Sequence, residues 1–389
     1  MKVCMVSSYP PNKANLAEYG HYISRELAKN PVISELTILA NAHESAPRET
    51  KNGRLRIIRC WKTNDPLTPF NILNQIMKFG PDIVYFNIGL LSWGDGRIVN
   101  FISGLTPILT KITTKAKVVI TLHNVGDITN IDRVGFIKPN FVNKAGCRAI
   151  TSLLLRAGVT VVTLKSYAKF LRQKYGEPDV RCIPHGTLRT SVKKPRTGGN
   201  RILAFGHWSK SKNLPLLLET FLDLSKKYND AELTVAGESH PKFRNYLENL
   251  REKYRHNRIK FLGYVPESGL KRLFLGSTVI VLPYLTSTGS SGVLNLAMAY
   301  GRPVVAPDID IFHESIREQK THIELFKNGS KNSLAGAIEK ILDDKVLQMK
   351  MAKGNLKASK NYTFDKIADR YVEIFKRLVK HDVYERKQG

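Results

Sequence analysis

The chain has 389 residues, 42% of them hydrophobic, and its 61 Lys and Arg side chains against 33 Asp and Glu give a formal net charge of +28. This composition excludes a disordered chain, and the length exceeds what one hydrophobic core usually fills, so two domains are expected. Mean hydropathy is −0.24, and no apolar run reaches membrane-spanning length. The basic excess favours an anionic partner: a phosphorylated substrate, an anionic membrane face or nucleic acid. A highly charged, solvated surface, as in thermophilic proteins, is the alternative.

Strands and helices alternate through the first half of the chain. Apolar runs rich in β-branched residues predict strands at residues 1–7, 34–39, 55–60, 82–87, 117–123, 160–164 and 180–183. Helical spacing of apolar residues predicts helices at 19–27, 70–79 and 166–175. This alternation predicts a parallel sheet covered by helices on both faces, and the opening βαβ unit lacks the G-x-G-x-x-G of a dinucleotide site.

The alternation restarts after residues 191–200, which are rich in charge, glycine and proline and are predicted to be a linker. Strands are predicted at 201–206, 232–237, 260–264, 278–283 and 302–306, and helices at 214–226, 241–254, 267–275, 333–342 and 365–379. The fold class is therefore α/β, with two Rossmann-like, doubly wound parallel-sheet domains. Ligands of open sheets lie beyond the carboxyl ends of the strands, which predicts a site in a cleft between the domains.

Residues 286–307 contain the first candidate site. A buried strand leads into Thr286-Ser-Thr-Gly-Ser-Ser-Gly292, after which Val293 begins a helical pattern that ends near Gly301. A strand, a small-residue loop and a helix N-terminus present backbone N–H groups to an anion, usually a phosphate. An ordinary tight turn that binds nothing fits this loop equally well.

Three further strand ends carry polar residues. Gly206 permits close backbone approach, while His207 and Lys212 offer cationic donors to phosphates. Glu238 follows the next strand, and His123 ends a buried strand of the first half, where a functional role competes with that of a satisfied structural histidine. Two phosphate-type loops in one domain suggest a ligand that carries a diphosphate.

Other classes of site lack support. The chain has no P-loop lysine signature, H-E-x-x-H, EF-hand spacing or G-x-S-x-G. Its four cysteines lack metal-type spacing and are interpreted as reduced residues of a cytosolic protein. Residues 136–144, where aromatic and aliphatic residues alternate with cations, favour an anionic membrane interface, whereas residues 149–155 favour an ordinary surface helix.

Several segments in order resemble one family. These are residues 203–213, 233–237, 259–266, 279–284 and 296–305, with 9–19, 121–123 and 183–186 in the first half. Together they resemble the retaining GT-B glycosyltransferases of the family-4 type (glycosyl transferases group 1), in the branch that lacks the paired glutamates. The resemblance covers nearly the whole chain.

The resemblance implies an acceptor-side domain at 1–190, a donor nucleotide-sugar domain at 201–364, and a segment 365–389 that crosses back to the first domain. It implies a hexosyltransferase that moves sugar from a nucleoside diphosphate, UDP or GDP, to a glycan or lipid-linked acceptor with retention. No metal or other cofactor is implied, and no nucleic-acid partner is expected. The expected location is cytoplasmic, peripheral to the inner face of the membrane.

The resemblance also assigns roles to individual residues. His123 and Lys212 would be catalytic, and Ala14, Asn15 and Tyr19 would form the acceptor-side loop. The donor would be bound by Gly206, His207, Glu238, Tyr264, Val265, Thr288, Gly289, Ser290, Ser291, Gly292 and Val293.

The chain departs from the family pattern at four positions or pairs. Thr288 and Leu296 stand where the family has its glutamates, His207 replaces a phosphate-binding arginine, and Ala14-Asn15 replaces a mobile Gly-Gly. These changes leave two alternatives open: a non-catalytic, glycosyltransferase-like binding subunit, and a nucleotide-sugar epimerase of the same fold.

Overall fold

The computed structural model describes residues 1–12, 15–89, 92–126, 128, 141–176, 179–192 and 198–385, with backbone alone for Asn15 and 381–385. The described chain forms two compact units. The first holds the described residues from Met1 to Gly186 together with those from Phe364 onward, and the second is Thr187–Thr363. The predicted two-domain α/β fold, with its last helix returned to the first domain, is confirmed.

The first unit contains eight strands and seven helices among its described residues. The strands are β1 (Lys2–Val6), β2 (Glu35–Asn41), β3 (Glu49–Asn52), β4 (Leu55–Trp61), β5 (Ile83–Ile88), β6 (Lys117–Leu122), β7 (Val159–Val162) and β8 (Val180–Cys182). The helices are α1 (Asn15–Lys29), α2 (Thr68–Phe79), α3 (Arg97–Gly104), α4 (Thr106–Thr113), α5 (Phe141–Ala157), α6 (Lys165–Tyr175) and, from the end of the chain, α14 (Phe364–Glu385).

These strands form one sheet in the order β3-β4-β2-β1-β5-β6-β7-β8. Every pairing is parallel except that of β3 with β4. All six residues of β5 are buried, as expected for a strand covered on both faces. The chain runs outward from β1 through β2 to β4, then returns to the other side of β1 as β5, so the strand order reverses between β1 and β5.

The second unit repeats this plan with six strands. They are β9 (Arg201–Phe205), β10 (Glu232–Ala236), β11 (Ile259–Gly263), β12 (Val279–Val281), β13 (Val304–Pro307) and β14 (Ile323–Phe326). The helices are α7 (Leu214–Lys227), α8 (Tyr246–Lys253), α9 (Glu267–Leu275), α10 (Gly292–Ala299), α11 (Asp310–Gln319), α12 (Lys331–Asp343) and α13 (Lys345–Ser359). The sheet is parallel throughout, in the order β11-β10-β9-β12-β13-β14, and its order reverses between β9 and β12.

The sequence patterns missed six of these elements: β3, α3, α4, α11, β14 and α13. β3 is a fully exposed edge strand, so it has no buried face to impose an apolar alternation. The helix predicted over 241–254 is instead a 3₁₀ turn, Pro241–Phe243, followed by α8. Pro241 suits the first position of a helical turn, because its missing N–H would have no partner there. The α-helix itself begins only at Tyr246.

The last helix is held in the first unit by buried hydroxyl groups. The Tyr371 hydroxyl on α14 lies 2.6 Å from Thr121 Oγ1 of β6 and 3.4 Å from the Tyr19 hydroxyl of α1. Tyr371 also packs against Tyr85 of β5, with ring centroids 4.9 Å apart. Separation of 364–385 from the first unit would break these buried hydrogen bonds, which is costly.

The chain enters the second unit earlier than the predicted boundary at residue 190. Thr187 N–H donates to the Tyr362 carbonyl at 2.8 Å, and Thr190 Oγ1 donates to the Ala299 carbonyl at 2.6 Å. Leu188 and Val192 pack against the core under α10. The start of the predicted linker is therefore part of the second unit, while residues 193–197 lie outside the described residues.

Candidate functional site

Glycines join the carboxyl ends of the central strands of the second unit. Gly206 follows β9 with φ +143°, and Gly237 follows β10 with φ +109°, backbone conformations that favour glycine. Gly206 N–H donates to the Ala236 carbonyl at 3.1 Å, and Gly237 N–H donates to the Gly263 carbonyl at 2.7 Å. A Cβ at Gly237 would lie 1.9 Å from the Gly206 carbonyl oxygen. The two strand ends can approach this closely only without a side chain.

Lys212 lies where the strand order of the second unit reverses. It ends a 3₁₀ turn after β9, and its Nζ is 3.4 Å from the ring centroid of Tyr284, which follows β12. Desolvation lowers the pKa of Lys212 to about 7. The Leu285 N–H donates to the Ser211 carbonyl at 2.9 Å, so both loops are tied together beside the ammonium group. A cation over an aromatic face is electrostatically favourable.

The helix that follows this loop begins at the predicted place. Ser291 is the N-cap of α10, and its Oγ accepts a hydrogen bond from the Leu294 N–H at 3.3 Å. A second hydrogen bond joins the Ser291 side chain to that of Tyr284, whose pKa is raised to about 12 mainly by burial. The first N–H groups of a helix have no intrahelical partner and carry a partial positive charge. Tyr284 therefore contacts both the Lys212 ammonium, through its ring, and the N-cap of α10, through its hydroxyl.

The other predicted residues of the small-residue loop surround that helix start. Gly289 is buried, Thr288 and Ser290 are partly buried, and Gly292 is exposed. A Cβ at Gly206 would lie 3.6 Å from Cγ2 of Val293, so the β9 loop borders the first turn of α10.

His207, Glu238, Tyr264 and Val265 lie at the same sheet edge. The Trp208 N–H donates to the Glu238 carbonyl at 2.8 Å, which joins the β9 and β10 loops. Tyr264 directly follows β11 and is 45% exposed, whereas Val265 packs against the core. The sequence therefore selected residues of three neighbouring loops, and the structure brings them to one edge.

Two residues that the patterns did not select belong to this edge. Trp208 is buried, and its Nε1–H donates to the Ala236 carbonyl at 3.0 Å. Asn295 of α10 is buried, and neither polar atom of its amide has a hydrogen-bond partner among the described residues. Leu296 packs against the apolar core. The sequence could have indicated Asn295 as a site residue only by its polar side chain close to the small-residue loop.

A second polar cluster occupies the carboxyl edge of the first unit. His123, directly after β6, has Nε2 2.6 Å from Asn87 Oδ1 of β5. Desolvation and the nearby His185 lower the pKa of His123 to about 3. Asn87 in turn donates through Nδ2 to Ser7 Oγ, after β1, at 2.9 Å. The cluster spans the reversal of strand order between β1 and β5, where ligands of such sheets bind.

The predicted acceptor-side loop reaches the same cluster through one residue. The Tyr19 ring packs edge-on against His123 and His185, with centroid distances of 4.6 and 4.9 Å. Desolvation, followed by the nearby Tyr371, raises the pKa of Tyr19 well above its usual value, so its hydroxyl stays neutral. Ala14 lies outside the described residues, and for Asn15 only its backbone, the start of α1, is described. His185 lies in the segment 183–186 that resembles the family, and the sequence did not indicate its contact with Tyr19.

Two cavities on the surface of the protein are not lined by any of the candidate site residues described above. One of about 430 Å³ in the first unit is lined by residues that precede β5 and β6, including Asp82 and Lys115, and therefore lies at the opposite sheet edge. In the described ranges no three His, Cys, Asp or Glu side chains are grouped as a metal site would require. No helix among the described residues is both long and apolar enough to cross a membrane.

The second unit matches a known family. Residues 199–344, within the second unit, match the family model described as "Glycosyl transferases group 1". The chain is 25% identical over 202 residues to phosphatidyl-myo-inositol mannosyltransferase of Mycobacterium leprae, over 50% of this chain and 52% of the relative. It is 28% identical over 179 residues to a glycosyltransferase of Methanocaldococcus jannaschii, over 45% and 44%. The chain thus spans about half the length of the curated relatives it matches.

Solved structures share the fold over nearly the whole chain. Sucrose-phosphate synthase of Thermosynechococcus elongatus superposes with a TM-score of 0.78 at 16% identity, over 98% of this chain and 100% of that one. Anabaena HepE, solved with UDP and glucose, gives a TM-score of 0.72 at 14% identity, over 97% and 99%. At these identities the likeness shows the fold, which is the two-domain α/β fold of the GT-B type.

Proposed function

We propose that the chain is a retaining hexosyltransferase that moves a sugar from a nucleoside diphosphate to a glycan or lipid-linked acceptor. The observation that carries the proposal is the Lys212 ammonium, held over Tyr284 beside the N-terminus of α10. It lies in the segment that matches the glycosyl transferases group 1 family. This arrangement suits a diphosphate, because an ammonium and unpaired helix N–H groups both stabilise phosphate oxygens.

The catalytic contribution of these groups follows from where charge develops. When the sugar–phosphate bond breaks, negative charge grows on the leaving diphosphate. Donors already fixed by packing stabilise that charge more in the transition state than in the ground state. Lys212 and the N–H groups of residues 290–293 would supply this stabilisation. In a front-face mechanism with retention, the leaving phosphate itself accepts the proton of the acceptor hydroxyl, and no side-chain base is required.

The proposed substrates follow from the relatives and the exposed aromatic residue at the sheet edge. A mannosyltransferase acting on phosphatidyl-myo-inositol and a structure holding UDP and glucose are both among the similar proteins. Tyr264, exposed after β11, suits the border of a nucleotide base, since aromatic rings stack on any base. We therefore propose a UDP- or GDP-hexose as donor, with no metal or other cofactor, and a lipid-linked acceptor.

The proposed lipid-linked acceptor is consistent with the surface of the first unit. Phe141 and Val142 at the start of α5 are 84% and 64% exposed, and Ile98 on the contacting helix α3 is 74% exposed. Lys144 and Arg148 are exposed on α5 at helical spacing from Phe141. Exposed apolar side chains flanked by cations suit the interface of an anionic membrane. The rest of the predicted segment, 136–140, lies outside the described residues.

A screen of nucleotide-sugars by thermal shift, followed by mass spectrometry of products formed on lipid-linked acceptors, tests the enzymatic proposal. Stabilisation by one donor and a product heavier by one hexose would support it. Stabilisation without transfer or epimerised product would favour the non-catalytic binding subunit, the second candidate suggested by Thr288 and Leu296 at the glutamate positions. A changed sugar in the absence of acceptor would instead favour the epimerase.

Sedimentation with vesicles tests the membrane interface separately. The chain is expected to sediment with phosphatidylglycerol vesicles and not with phosphatidylcholine vesicles. A double substitution, Phe141→Ser with Val142→Ser, should abolish this, whereas Val346→Ser, at an apolar residue 80% exposed on the second unit, should leave it unchanged. Equal sedimentation of all three proteins would contradict the assignment of this surface.

A further inference from the structure

The donor and the acceptor of each hydrogen bond that links Ser7, Asn87 and His123 can be deduced from one backbone carbonyl, that of Ser8. Ser7 Oγ donates to the Ser8 carbonyl at 2.7 Å, and a carbonyl oxygen can only accept. The single hydroxyl hydrogen of Ser7 is therefore used, so its oxygen must accept from Asn87. The Asn87 Nδ2 group lies 2.9 Å from Ser7 Oγ and 3.4 Å from the Leu16 carbonyl. Two acceptors thus fix the orientation of the Asn87 amide.

That orientation determines which nitrogen of His123 carries the proton. With Nδ2 committed, Asn87 presents Oδ1 to His123 Nε2 at 2.6 Å. An amide oxygen cannot donate, so Nε2 must carry the hydrogen. A neutral ring then has its lone pair on Nδ1, for which the described residues offer no hydrogen-bond partner. The depressed pKa of His123 keeps the ring neutral at physiological pH.

His185 is held in the opposite form. Its Nδ1 lies 2.7 Å from the Gly186 carbonyl oxygen, so Nδ1 carries the hydrogen and the lone pair is on Nε2. Desolvation lowers the pKa of His185 as well, against a smaller opposing effect of that hydrogen bond. The His123 and His185 rings lie 6.3 Å apart, with the Tyr19 ring edge-on to both. Among the described residues neither imidazole has a carboxylate partner that would favour its cation.

We propose that Asn87 is a positioning residue that locks His123 with its proton on Nε2, so that His123 and His185 together offer two uncharged lone pairs to the hydroxyl groups of a sugar. Two acceptors without charge suit a hydroxyl-bearing ligand and disfavour a phosphate, which needs donors. The proposal rests on the proposed function for the identity of its ligand. The proton positions themselves follow from the hydrogen bonds alone.

Nitrogen-15 NMR of the full chain tests the proton positions directly. Long-range ¹H–¹⁵N correlations of the imidazole rings should give the Nε2–H pattern for His123 and the Nδ1–H pattern for His185, unchanged between pH 5.5 and 8. Signals are assigned by their loss in His123→Gln and His185→Gln. An Nδ1–H or averaged pattern for His123, or its titration within this range, would overturn the proposal.

Asn87→Asp tests the positioning role of the amide. A carboxylate facing Nε2 stabilises the imidazolium, so His123 should titrate within the measured range and its Nδ1 should become a donor at low pH. Asn52→Asp is the matched control, since Asn52 is exposed on β3, four strands away from β5 in the sheet. If His123 behaves identically in both variants, the amide does not set its proton.

Ligand titrations in the same spectra test the class of ligand. Glucose, mannose and inositol are the hydroxyl probes, and inorganic phosphate is the anionic probe. At least one sugar should shift the His123 and His185 signals saturably, while phosphate should not. In Asn87→Asp this response should be about tenfold weaker at pH 6 than at pH 8. A response to phosphate alone, or to no probe, would overturn the ligand class, whereas correct proton positions without any sugar transfer would contradict only the proposed function.

Discussion

The two units have the same plan and opposite chemistry at the same topological position. In each, the strand order reverses beside the first strand, and polar residues gather at the carboxyl ends of the strands on either side. The second unit has a lysine ammonium and a helix N-terminus there, and the first has two neutral histidines whose protons are fixed by an amide and a carbonyl. A shared fold thus provides the same position in both units, and under our proposals a few side chains there determine whether it binds anions or hydroxyl groups.

Removal of the cation from the second unit should have the largest effect. Lys212→Ala is expected to lower the rate of sugar transfer by about 10²–10³-fold, because a fixed donor to the leaving diphosphate is lost. Lys210→Ala is the matched control, since Lys210 is an exposed cation in the same 3₁₀ turn. Initial rates with saturating donor test this prediction. Comparable rates in the two variants would contradict the catalytic role of Lys212.

Disruption of the glycine junction should damage the second unit alone. Gly237→Ala is expected to cost about 2–4 kcal/mol of unfolding free energy, because its Cβ would meet the Gly206 carbonyl in a backbone conformation unfavourable for alanine. Gly336→Ala, in α12 with open space at its Cβ, should instead stabilise by about 0.5–1 kcal/mol. Hydrogen exchange of β9 and β10 against β5 and β6 measures both effects. Equal loss of protection in both sheets would contradict this assignment.

The pH dependence of diphosphate binding should distinguish the two clusters. With the pKa of Lys212 near 7 in the free protein, the ammonium is lost as pH rises above 7. Affinity for UDP or GDP should therefore fall by up to about tenfold per pH unit between pH 7 and 9. Calorimetry should also detect proton uptake on binding in this range. Lys212→Gln should bind weakly and without this pH dependence; a slope retained in that variant would assign the titration to another group.

A fall in pH should have the smallest of these effects, a modest loss of stability in the first unit. The folded pKa of His123, about 3, lies below the ordinary value of 6.5, so the unfolded chain binds a proton first as pH falls. The free energy of unfolding therefore falls as pH drops below 6.5, by about 1 kcal/mol between pH 7 and 5.5. His123→Gln, whose amide can still donate to Asn87, should reduce this loss in hydrogen exchange of β5 and β6. An unchanged pH dependence would mean that other groups set the acid response.

Much of the second unit's site could be predicted because its signals are local. A glycine after a strand, a small-residue loop and a helical pattern are all readable within about twenty residues, and they selected Gly206, Lys212 and Ser291. Tyr284 and Trp208 were missed as site residues because an aromatic residue at a strand end looks like core. Their importance arises from contacts with Lys212 and Ala236, which lie far away in sequence.

The first unit's cluster was harder to predict for the same reason. Ser7, Asn87, His123 and His185 each end or follow a different strand, and only His123 was selected. Their hydrogen bonds join residues separated by up to 80 positions, and no sequence pattern records such partners. The pairing of β1 with β5 and of β5 with β6 brings Ser7, Asn87 and His123 together, and His185 reaches them through its contact with the Tyr19 ring.

The alternation of strands and helices, the two-unit plan and the small-residue loop before α10 could be predicted from the sequence, because they depend on periodicity and on glycine placed close to the elements it joins. The strand order and the protonation of the candidate site residues depend on contacts between residues that are distant in sequence. A lysine or histidine has its ordinary pKa until packing removes water and supplies fixed partners. The burial that lowers the pKa of Lys212 and the amide that fixes His123 exist only once distant strands are neighbours.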